Sequence, residues 1–234
     1  MRVCAAPPFA GEHALSCDAR WRPHDLLRLR RLPAFDDEPA WVRTAFERAP
    51  YAVVRRALTA EGFVAIGMRG VGRAQRYGTW AQAGDIESAV PPEALVQTAP
   101  LAGRDALPPF AALAFLRSDA AGPLAGFVWG PTGSAGFELA TRVAAVTESS
   151  DLDLLIRTPE PLAQDLARAL LGQLQALAKH SGIRVDAQLE TPAGGVALAE
   201  WAAGKARVMV RDARGPQLIA DPWAAARVTR SGVV

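Results

Sequence analysis

Two carboxylates in the middle of the chain have the spacing of a metal site. Asp151 and Asp153 lie on either side of Leu152, at the start of an apolar run that is typical of a β-strand. Side chains two residues apart in a strand lie on the same face, so both carboxylates are expected to point the same way. Neighbouring carboxylates repel each other unless a cation lies between them, and oxygen ligands of this kind suit Mg2+. The pair therefore predicts a divalent-metal site.

A glycine-rich turn precedes the carboxylate pair. Gly133 and Ser134 follow the apolar run 127–129 and open a segment, 134–143, whose composition predicts a helix. Backbone N–H groups at the start of a helix can bind an anion such as phosphate. A phosphate site and a metal site in one short stretch of sequence indicate phosphoryl or nucleotidyl transfer.

Asp186 is the candidate for a third acidic ligand. Alternation over 183–189 predicts a strand that has Ile183 and Leu189 on one face and Asp186 on the other. If this strand neighbours the one that holds the carboxylate pair, Asp186 can reach that pair. The spacing alone favours the alternative, an acidic residue on the solvent face of a strand with no part in the chemistry.

Two helices are expected to support these strands. The segment 159–180 predicts a long amphipathic helix that ends at Gly182, with a stripe of leucines in the core: Leu162, Leu166, Leu170, Leu174 and Leu177. Within the predicted helix 134–143, Glu138 and Arg142 have the i, i+4 spacing of an exposed ion pair.

The N-terminal part is rich in arginine and predicts a smaller domain of helices and strands. Short helices are expected over 25–29 and 75–83, and strands over 52–54 and 63–67. Between residues 20 and 76 this part holds twelve arginines and six acidic residues. Arginine forks suit phosphates or an acidic protein surface, and a glycine loop brings three candidates together: Arg69, Arg73 and Arg76. The alternative is an ordinary solvated basic surface.

Composition limits the remaining possibilities. The chain has 234 residues, half of them hydrophobic, which is enough for one large or two small domains. A net charge of +2 is too small to indicate a nucleic-acid-binding protein. The cysteines, Cys4 and Cys17, have no metal-ligand spacing, and no apolar run reaches the length of a membrane span. We expect a cytoplasmic protein without a membrane segment, and residues 1–20 are expected to be a disordered tail.

A GS turn followed by a DxD strand resembles the signature of the nucleotidyltransferase superfamily. Longer phrases narrow the resemblance to the phosphoribosyl-dephospho-CoA transferase family of malonate decarboxylase, also called its holo-acyl-carrier-protein synthase. They are RPHDLLRL (22–29), GMRGVGRAQRYGTW (67–80), GPTGSAGFELAT (130–141), SDLDLLIR (150–157), VDAQLETPAGGVALAEWA (185–202) and GPQLIADPW (215–223). The resemblance extends from Trp21 to Trp223.

This resemblance implies a specific reaction and specific partners. The donor would be triphosphoribosyl-dephospho-CoA, the acceptor a serine of the malonate decarboxylase acyl carrier subunit, and the leaving group pyrophosphate. It implies that Asp151, Asp153 and Asp186 are metal ligands for Mg2+ or Mn2+, and that Asp186 either completes the site or accepts the serine proton. Gly133 and Ser134 would hold the donor phosphates. The superfamily commonly has a third carboxylate on the next strand, which favours a functional Asp186.

The implied fold class is α+β. A small N-terminal α+β domain, 21–107, would bind donor or carrier, and a catalytic domain, 108–234, would be a mixed sheet with helices on one side. Two other functions remain: a nucleotidyltransferase that uses an ordinary nucleoside triphosphate, and a carrier-binding module without catalysis. The carrier-binding module would leave the two facing carboxylates uncompensated, at a cost in stability.

Overall fold

The structure, a computed structural model, describes residues 3–5, 7, 20–36, 38–72, 74–119 and 121–224. The chain divides into two compact units, Met1–Pro91 and Pro92–Val234. The predicted domain boundary, after residue 107, lies inside the second unit and directly before a helix that begins at Pro108. No helix in the described part of the chain is both long enough and apolar enough to cross a membrane.

Unit 1 is a six-stranded sheet with one helix. The strands are β1 (Val3–Cys4), β2 (Leu26–Leu29), β3 (Tyr51–Val54), β4 (Phe63–Arg69), β5 (Arg76–Gln82) and β6 (Ile86–Val90), and the helix is α1 (Trp41–Arg48). The spatial order is β1-β5-β4-β3-β2-β6, and only β1 pairs in parallel with its neighbour. Strand β1 lies within the segment that was expected to be a disordered tail.

The core of unit 1 follows from alternation along its strands. In β3 the second and fourth residues, Ala52 and Val54, are buried, and in β4 Val64, Ile66 and Met68 are buried. These side chains form one apolar cluster with Val42 of α1, among others. Burial of one face of the sheet against this helix supplies the hydrophobic stabilisation of the unit.

Both short helices predicted in unit 1 are wrong. Residues 26–29 form β2, held between β3 and β6, and the buried side chain of Asp25 accepts a hydrogen bond from the N–H of Arg22 at 2.9 Å in the preceding turn. Residues 76–82 form β5, in which Tyr77, Thr79 and Trp80 are aromatic or β-branched and buried. Such residues favour strands, and pairing with neighbouring strands outweighed the weak local helix signal.

Unit 2 is a mixed sheet with four helices. Its strands are β7 (Val128–Pro131), β8 (Leu152–Arg157), β9 (Val185–Thr191), β10 (Gly194–Ala197), β11 (Val208–Asp212) and β12 (Gly215–Ile219). Its helices are α2 (Pro108–Ser118), α3 (Gly133–Thr141), α4 (Gln164–Ser181) and α5 (Leu198–Ala202). The order is β12-β11-β10-β9-β8-β7, with β8 and β9 parallel and all other neighbours antiparallel. The predicted α+β class is confirmed.

Strand β8 lies between β7 and β9, and it is buried along one face and at Leu155 on the other. Leu152, Leu154, Leu155 and Ile156 are each at most 1% exposed. Helix α4 connects β8 to β9, because parallel neighbours need a crossover connection. Strand β8 carries Asp153, and Asp151 lies directly before its first residue, so both positions are fixed by the apolar packing that follows them.

The leucine stripe of α4 is mostly in the core, as predicted, with one exception. Leu162, just before the helix, and Leu170, Leu174 and Leu177 within it are buried. Leu166 is 49% exposed, so the prediction is wrong at that position. Helical periodicity identifies a face of a helix, but it does not show how far the neighbouring elements cover that face.

This difference gives a matched pair of stability predictions. Leu170→Ala should lower the free energy of unfolding by about 2–5 kcal/mol, because it opens a cavity in the core. Leu166→Ala should change it by less than about 1 kcal/mol. Urea denaturation of both variants measures the difference, and equal losses would contradict the burial of Leu170 relative to Leu166.

Candidate functional site

The glycine turn and the carboxylate strand lie side by side at one end of β7 and β8. Strand β7 pairs antiparallel with β8 from Val128 opposite Arg157 to Pro131 opposite Leu154. Directly beyond this ladder, the N–H of Thr132 donates to the carbonyl oxygen of Asp153 at 2.8 Å. The start of α3 is thereby fastened to the residue that carries one of the two carboxylates.

Asp153 lies against the backbone of Gly133. A β-carbon added at Gly133 would overlap Oδ2 of Asp153, and Gly133 has a φ of +59°, a region that favours glycine. Ser134 follows in the first turn of α3 and is buried. The structure therefore brings the predicted phosphate-binding turn and one predicted metal ligand into direct contact.

Gly133→Ala is expected to disable the site more than it destabilises the fold. The added methyl group displaces the Asp153 carboxylate, and the positive φ adds strain of about 1 kcal/mol. We expect the rate of the reaction that this site catalyses to fall by at least about tenfold, with a modest loss of stability. Gly172→Ala on α4 is the matched control, since a β-carbon there meets no atom within 4 Å. Equal activity of both variants would contradict the placement of Asp153.

Asp186 lies on the strand beside Asp153. In the parallel pair β8–β9, Asp153 is the register partner of Asp186, and the N–H of Leu152 donates to the carbonyl of Arg184 at 2.9 Å. This adjacency was anticipated as one of two possibilities. The carboxylate of Asp186 forms an ion pair with the guanidinium of Arg184, and the two side chains are 51% and 69% exposed.

The acidic side chains differ in how well they fit a divalent metal. In the part of the chain that the structure describes, no three or more His, Cys, Asp and Glu side chains converge as a metal cluster. The Asp186 carboxylate instead accepts a hydrogen bond from the Arg184 guanidinium. The chemistry of Asp151 and Asp153 still fits Mg2+ or Mn2+, since Mg2+ is usually held by one or two carboxylates together with substrate phosphates. These two residues would hold the ion, with phosphate oxygens completing its coordination.

Glu138 supports the site from inside α3. The predicted exposed pair of Glu138 with Arg142 is wrong, because Glu138 is fully buried and binds Arg104 through two hydrogen bonds of 2.6 and 3.0 Å. Its Oε2 also accepts the N–H groups of Ala145 and Val146 at 2.7 and 2.8 Å. Glu138 therefore ties the loop that leads to Asp151 to the helix that follows the glycine turn.

The pKa of Glu138 is lowered although burial alone would raise it. Hydrogen bonds from Arg104 and from the backbone N–H groups of Ala145 and Val146, together with the charge of Arg104, outweigh desolvation and stabilise the carboxylate. The same hydrogen bond to Glu138 raises the pKa of Arg104 above its ordinary value. Glu138 is therefore a structural anion of the site and not a proton carrier.

Arg142 has a separate partner. It ends α3 in a left-handed conformation, with a φ of +60°, and its guanidinium donates to the carbonyl oxygens of Ala99 and Pro100 at 2.6 and 3.3 Å. Arg104 donates to the carbonyl of Val146 at 2.7 Å. The segment 99–104 is thus bound to the end of α3 and to the loop that precedes β8.

The predicted arginine site lies in unit 1. Arg69 and Arg76 are register partners at the loop end of the β4–β5 hairpin, and Arg73 lies outside the described residues. The glycines of this loop have a local role: the N–H of Gly72 donates to Oε1 of Gln75 at 2.8 Å, and a β-carbon at Gly70 would collide with Gln75 and Trp41. The role of the arginines in binding stays a prediction.

Comparison with known proteins decides the family. The model of the phosphoribosyl-dephospho-CoA transferase MdcG N-terminal domain matches residues 22–92, and that of the MdcG C-terminal domain matches residues 95–222. The chain belongs to the phosphoribosyl-dephospho-CoA transferase family. Its two matched segments meet close to the division between the two structural units.

Curated relatives agree with this assignment to a family of transferase enzymes. The chain is 45% identical over 208 residues to the phosphoribosyl-dephospho-CoA transferase of Pseudomonas putida strain W619, covering 86% of this chain and 95% of the relative. It is 46% identical over 210 residues to that of Pseudomonas aeruginosa strain PAO1 (88% and 95%) and 43% over 205 residues to that of Azotobacter vinelandii strain DJ (86% and 94%). No solved structure matches the chain.

The sequence did not predict the ion pair between Arg104 and the buried Glu138 that supports the candidate site of this phosphoribosyl-dephospho-CoA transferase family member. Arg104 stands 34 residues before Glu138, and no local pattern links them. The one available signal was Glu138 itself, an acidic residue among the apolar Phe137, Leu139 and Ala140. An acid inside such a run is rarely buried without a charged partner, so its presence there indicates a distant basic residue.

Proposed function

We propose that this chain transfers the 2'-(5''-phosphoribosyl)-3'-dephospho-CoA group from its triphosphate precursor to a serine of the malonate decarboxylase acyl carrier protein. The observation that carries the proposal is the contact of Asp153 with the Gly133 turn at the start of α3. This contact places an anion-binding backbone and a metal-binding carboxylate at one point, as a polyphosphate substrate with a divalent ion requires. Membership of the family supports the identity of the donor.

The reaction is a substitution at phosphorus. The serine oxygen of the carrier forms a new O–P bond to the phosphorus attached to the ribose, and the P–O bond to pyrophosphate breaks. The serine proton goes to a base, for which Asp186 is the candidate, or to solvent. A bound Mg2+ or Mn2+ supplies charge neutralisation for the donor phosphates and the departing pyrophosphate.

The residues of the chain have distinct tasks in this proposal. Asp151 and Asp153 hold the ion. The backbone N–H groups of Gly133 and Ser134 bind terminal phosphate oxygens at the start of α3, where the helix dipole favours negative charge. Asp186 either completes the ion's coordination or receives the proton. Holding donor and acceptor in line accounts for much of the expected rate, because the protein forms no covalent bond itself.

Mass spectrometry of the purified apo carrier tests the proposed function. Incubation with the enzyme, triphosphoribosyl-dephospho-CoA and Mg2+ should add the mass of the prosthetic group, release one pyrophosphate per carrier and leave a carrier with its serine replaced by alanine unchanged. EDTA should stop the reaction. Modification with an ordinary nucleoside triphosphate in place of this donor would favour the other nucleotidyltransferase function. Binding of the carrier with no mass change and no pyrophosphate would favour a non-catalytic module.

A further inference from the structure

Arg184 is a cation at the edge of the candidate site to which no role has been given. It stands two residues before Asp186 on the same side of the chain, and its guanidinium pairs with the Asp186 carboxylate. Its carbonyl oxygen accepts the N–H of Leu152, the residue between Asp151 and Asp153. Arg184 is therefore attached to the carboxylate strand by its backbone and to the third carboxylate by its side chain.

The Arg184–Asp186 pair can be exchanged for other partners. Both side chains are more than half exposed, so water competes for each of them and the pair is weak. Arginine stays protonated at any accessible pH, so a guanidinium that leaves Asp186 keeps its charge and can bind another anion. The planar fork of arginine matches phosphate oxygens in a bidentate manner, which makes a polyphosphate the stronger alternative partner.

The Arg184–Asp186 pair explains why Asp186 does not form a metal cluster with the neighbouring carboxylates. Asp186 is the register partner of Asp153, yet the described acidic side chains form no three-membered cluster. The guanidinium of Arg184 competes with a metal ion for the Asp186 carboxylate. A polyphosphate that draws Arg184 away would leave Asp186 available to the ion, so one ligand would prepare the site for the other.

We propose that Arg184 is a donor-binding residue that exchanges partners. It holds Asp186 in the free enzyme and transfers its guanidinium to the donor's phosphates when the donor binds, which releases Asp186 to the metal. The proposal rests on the proposed function for the location of the donor. Loss of Arg184 should therefore change two affinities in opposite directions. The affinity for polyphosphate should fall because a phosphate ligand is lost, and the affinity for the metal ion should rise because its competitor for Asp186 is lost.

Direct binding to the free enzyme tests this exchange without any turnover. Inorganic tripolyphosphate in EDTA, followed by calorimetry, reports the phosphate contact, and Mn2+ without any phosphate, followed by electron paramagnetic resonance, reports the metal site. Arg184→Ala should weaken tripolyphosphate binding by about tenfold, and should tighten Mn2+ binding by about threefold. For Arg184→Lys, both affinities should lie between those of the wild type and of Arg184→Ala, because lysine keeps the positive charge but lacks the planar fork of arginine.

Arg168→Ala is the matched control. Arg168 pairs with Asp165 on α4, and the two side chains are 54% and 96% exposed, so the variant removes a comparable surface arginine. It should leave both affinities unchanged. Arg184→Ala affinities equal to those of Arg168→Ala would overturn the proposal, and so would a parallel fall of both affinities, which would indicate damage to the site.

The outcome can be separated from that of the proposed function. A wild-type enzyme that modifies the carrier while Arg184→Ala binds both probes normally would retain the transferase function and remove the role of Arg184. A wild-type enzyme that leaves the carrier unmodified, while Arg184→Ala shows the opposed shifts, would reject the transfer and retain the exchange.

Discussion

Asp151→Asn and Asp153→Asn should each lower the rate of carrier modification by about a hundredfold or more, with little change in stability. Asparagine keeps the size of the side chain and removes the charge that would hold the ion. The backbone hydrogen bond from Thr132 to residue 153 does not depend on the side chain, so the turn should keep its place. A steady-state assay with saturating carrier measures the effect.

The Mg2+ dependence of the rate distinguishes loss of a metal ligand from a general distortion of the site. Because the proposed role of these carboxylates is to hold the ion, both variants should also need a higher Mg2+ concentration for half-maximal rate. Asp165→Asn is the control, since Asp165 is on the exposed side of α4 and its side chain is 96% exposed. Near wild-type transfer by both site variants would refute the proposed chemistry.

Glu138→Ala should produce the largest loss of stability among the charged residues of the site. The variant leaves the guanidinium of Arg104 without its carboxylate and the N–H groups of Ala145 and Val146 without their acceptor. Breaking a buried ion pair on one side costs about 3–5 kcal/mol. Urea denaturation measures the loss. The double variant Arg104→Ala/Glu138→Ala should be more stable than the sum of the single effects predicts, because neither charge is then left alone.

The control for this cycle is the exposed pair Arg168–Asp165 on α4. Its single and double variants should each change the free energy of unfolding by less than about 1 kcal/mol. A Glu138→Ala variant that loses no more stability than these would contradict the buried position of Glu138.

The lowered pKa of Glu138 also predicts a pH dependence. A carboxyl group with a lower pKa in the folded state adds stability above its unfolded pKa, near the ordinary value of 4.5, and this contribution disappears as the pH falls towards the folded pKa. The wild type should therefore lose more stability below about pH 4.5 than Glu138→Ala does. Urea unfolding curves at a series of pH values from about 3 to about 7 measure how the free energy of unfolding of each protein changes with pH. Equal slopes would contradict the lowered pKa.

The sequence predicted the parts of the site that depend on local pattern. Alternation around Leu152 and Leu154 placed Asp153 on a strand, and glycine at 133 marked a turn that no other residue fits well. The strand of Asp186 was also predicted from alternation. That this strand neighbours the strand of Asp153 was only one of two options, because pairing between distant strands depends on the whole sheet.

Distant charge pairing could not be predicted. Glu138 has an arginine four residues later, Arg142, and the helical rule therefore indicated an exposed pair. In the structure the end of α3 turns Arg142 to the carbonyl groups of 99 and 100, and a more distant arginine, Arg104, takes its place. A rule for isolated helices does not account for a helix end packed under a loop.

Local propensity also failed in the N-terminal unit. The segment 26–29 alternates too briefly to show a strand, and only its place between β3 and β6 makes it one. For 76–82 a strand signal was present, since Tyr77, Thr79 and Trp80 favour strands, but the segment 75–83 was predicted as a helix. Strand pairing, which acts over long sequence separations, determined both elements.

An anomalous diffraction experiment tests the central claim most directly. Crystals of the enzyme with Mn2+ and triphosphoribosyl-dephospho-CoA should show the ion about 2.1 Å from carboxylate oxygens of Asp151 and Asp153, where its all-oxygen ligands resemble those of Mg2+. The donor's terminal phosphates should lie on the N–H groups of Gly133 and Ser134 at the start of α3. An ion bound elsewhere, or donor phosphates away from that turn, would contradict the account.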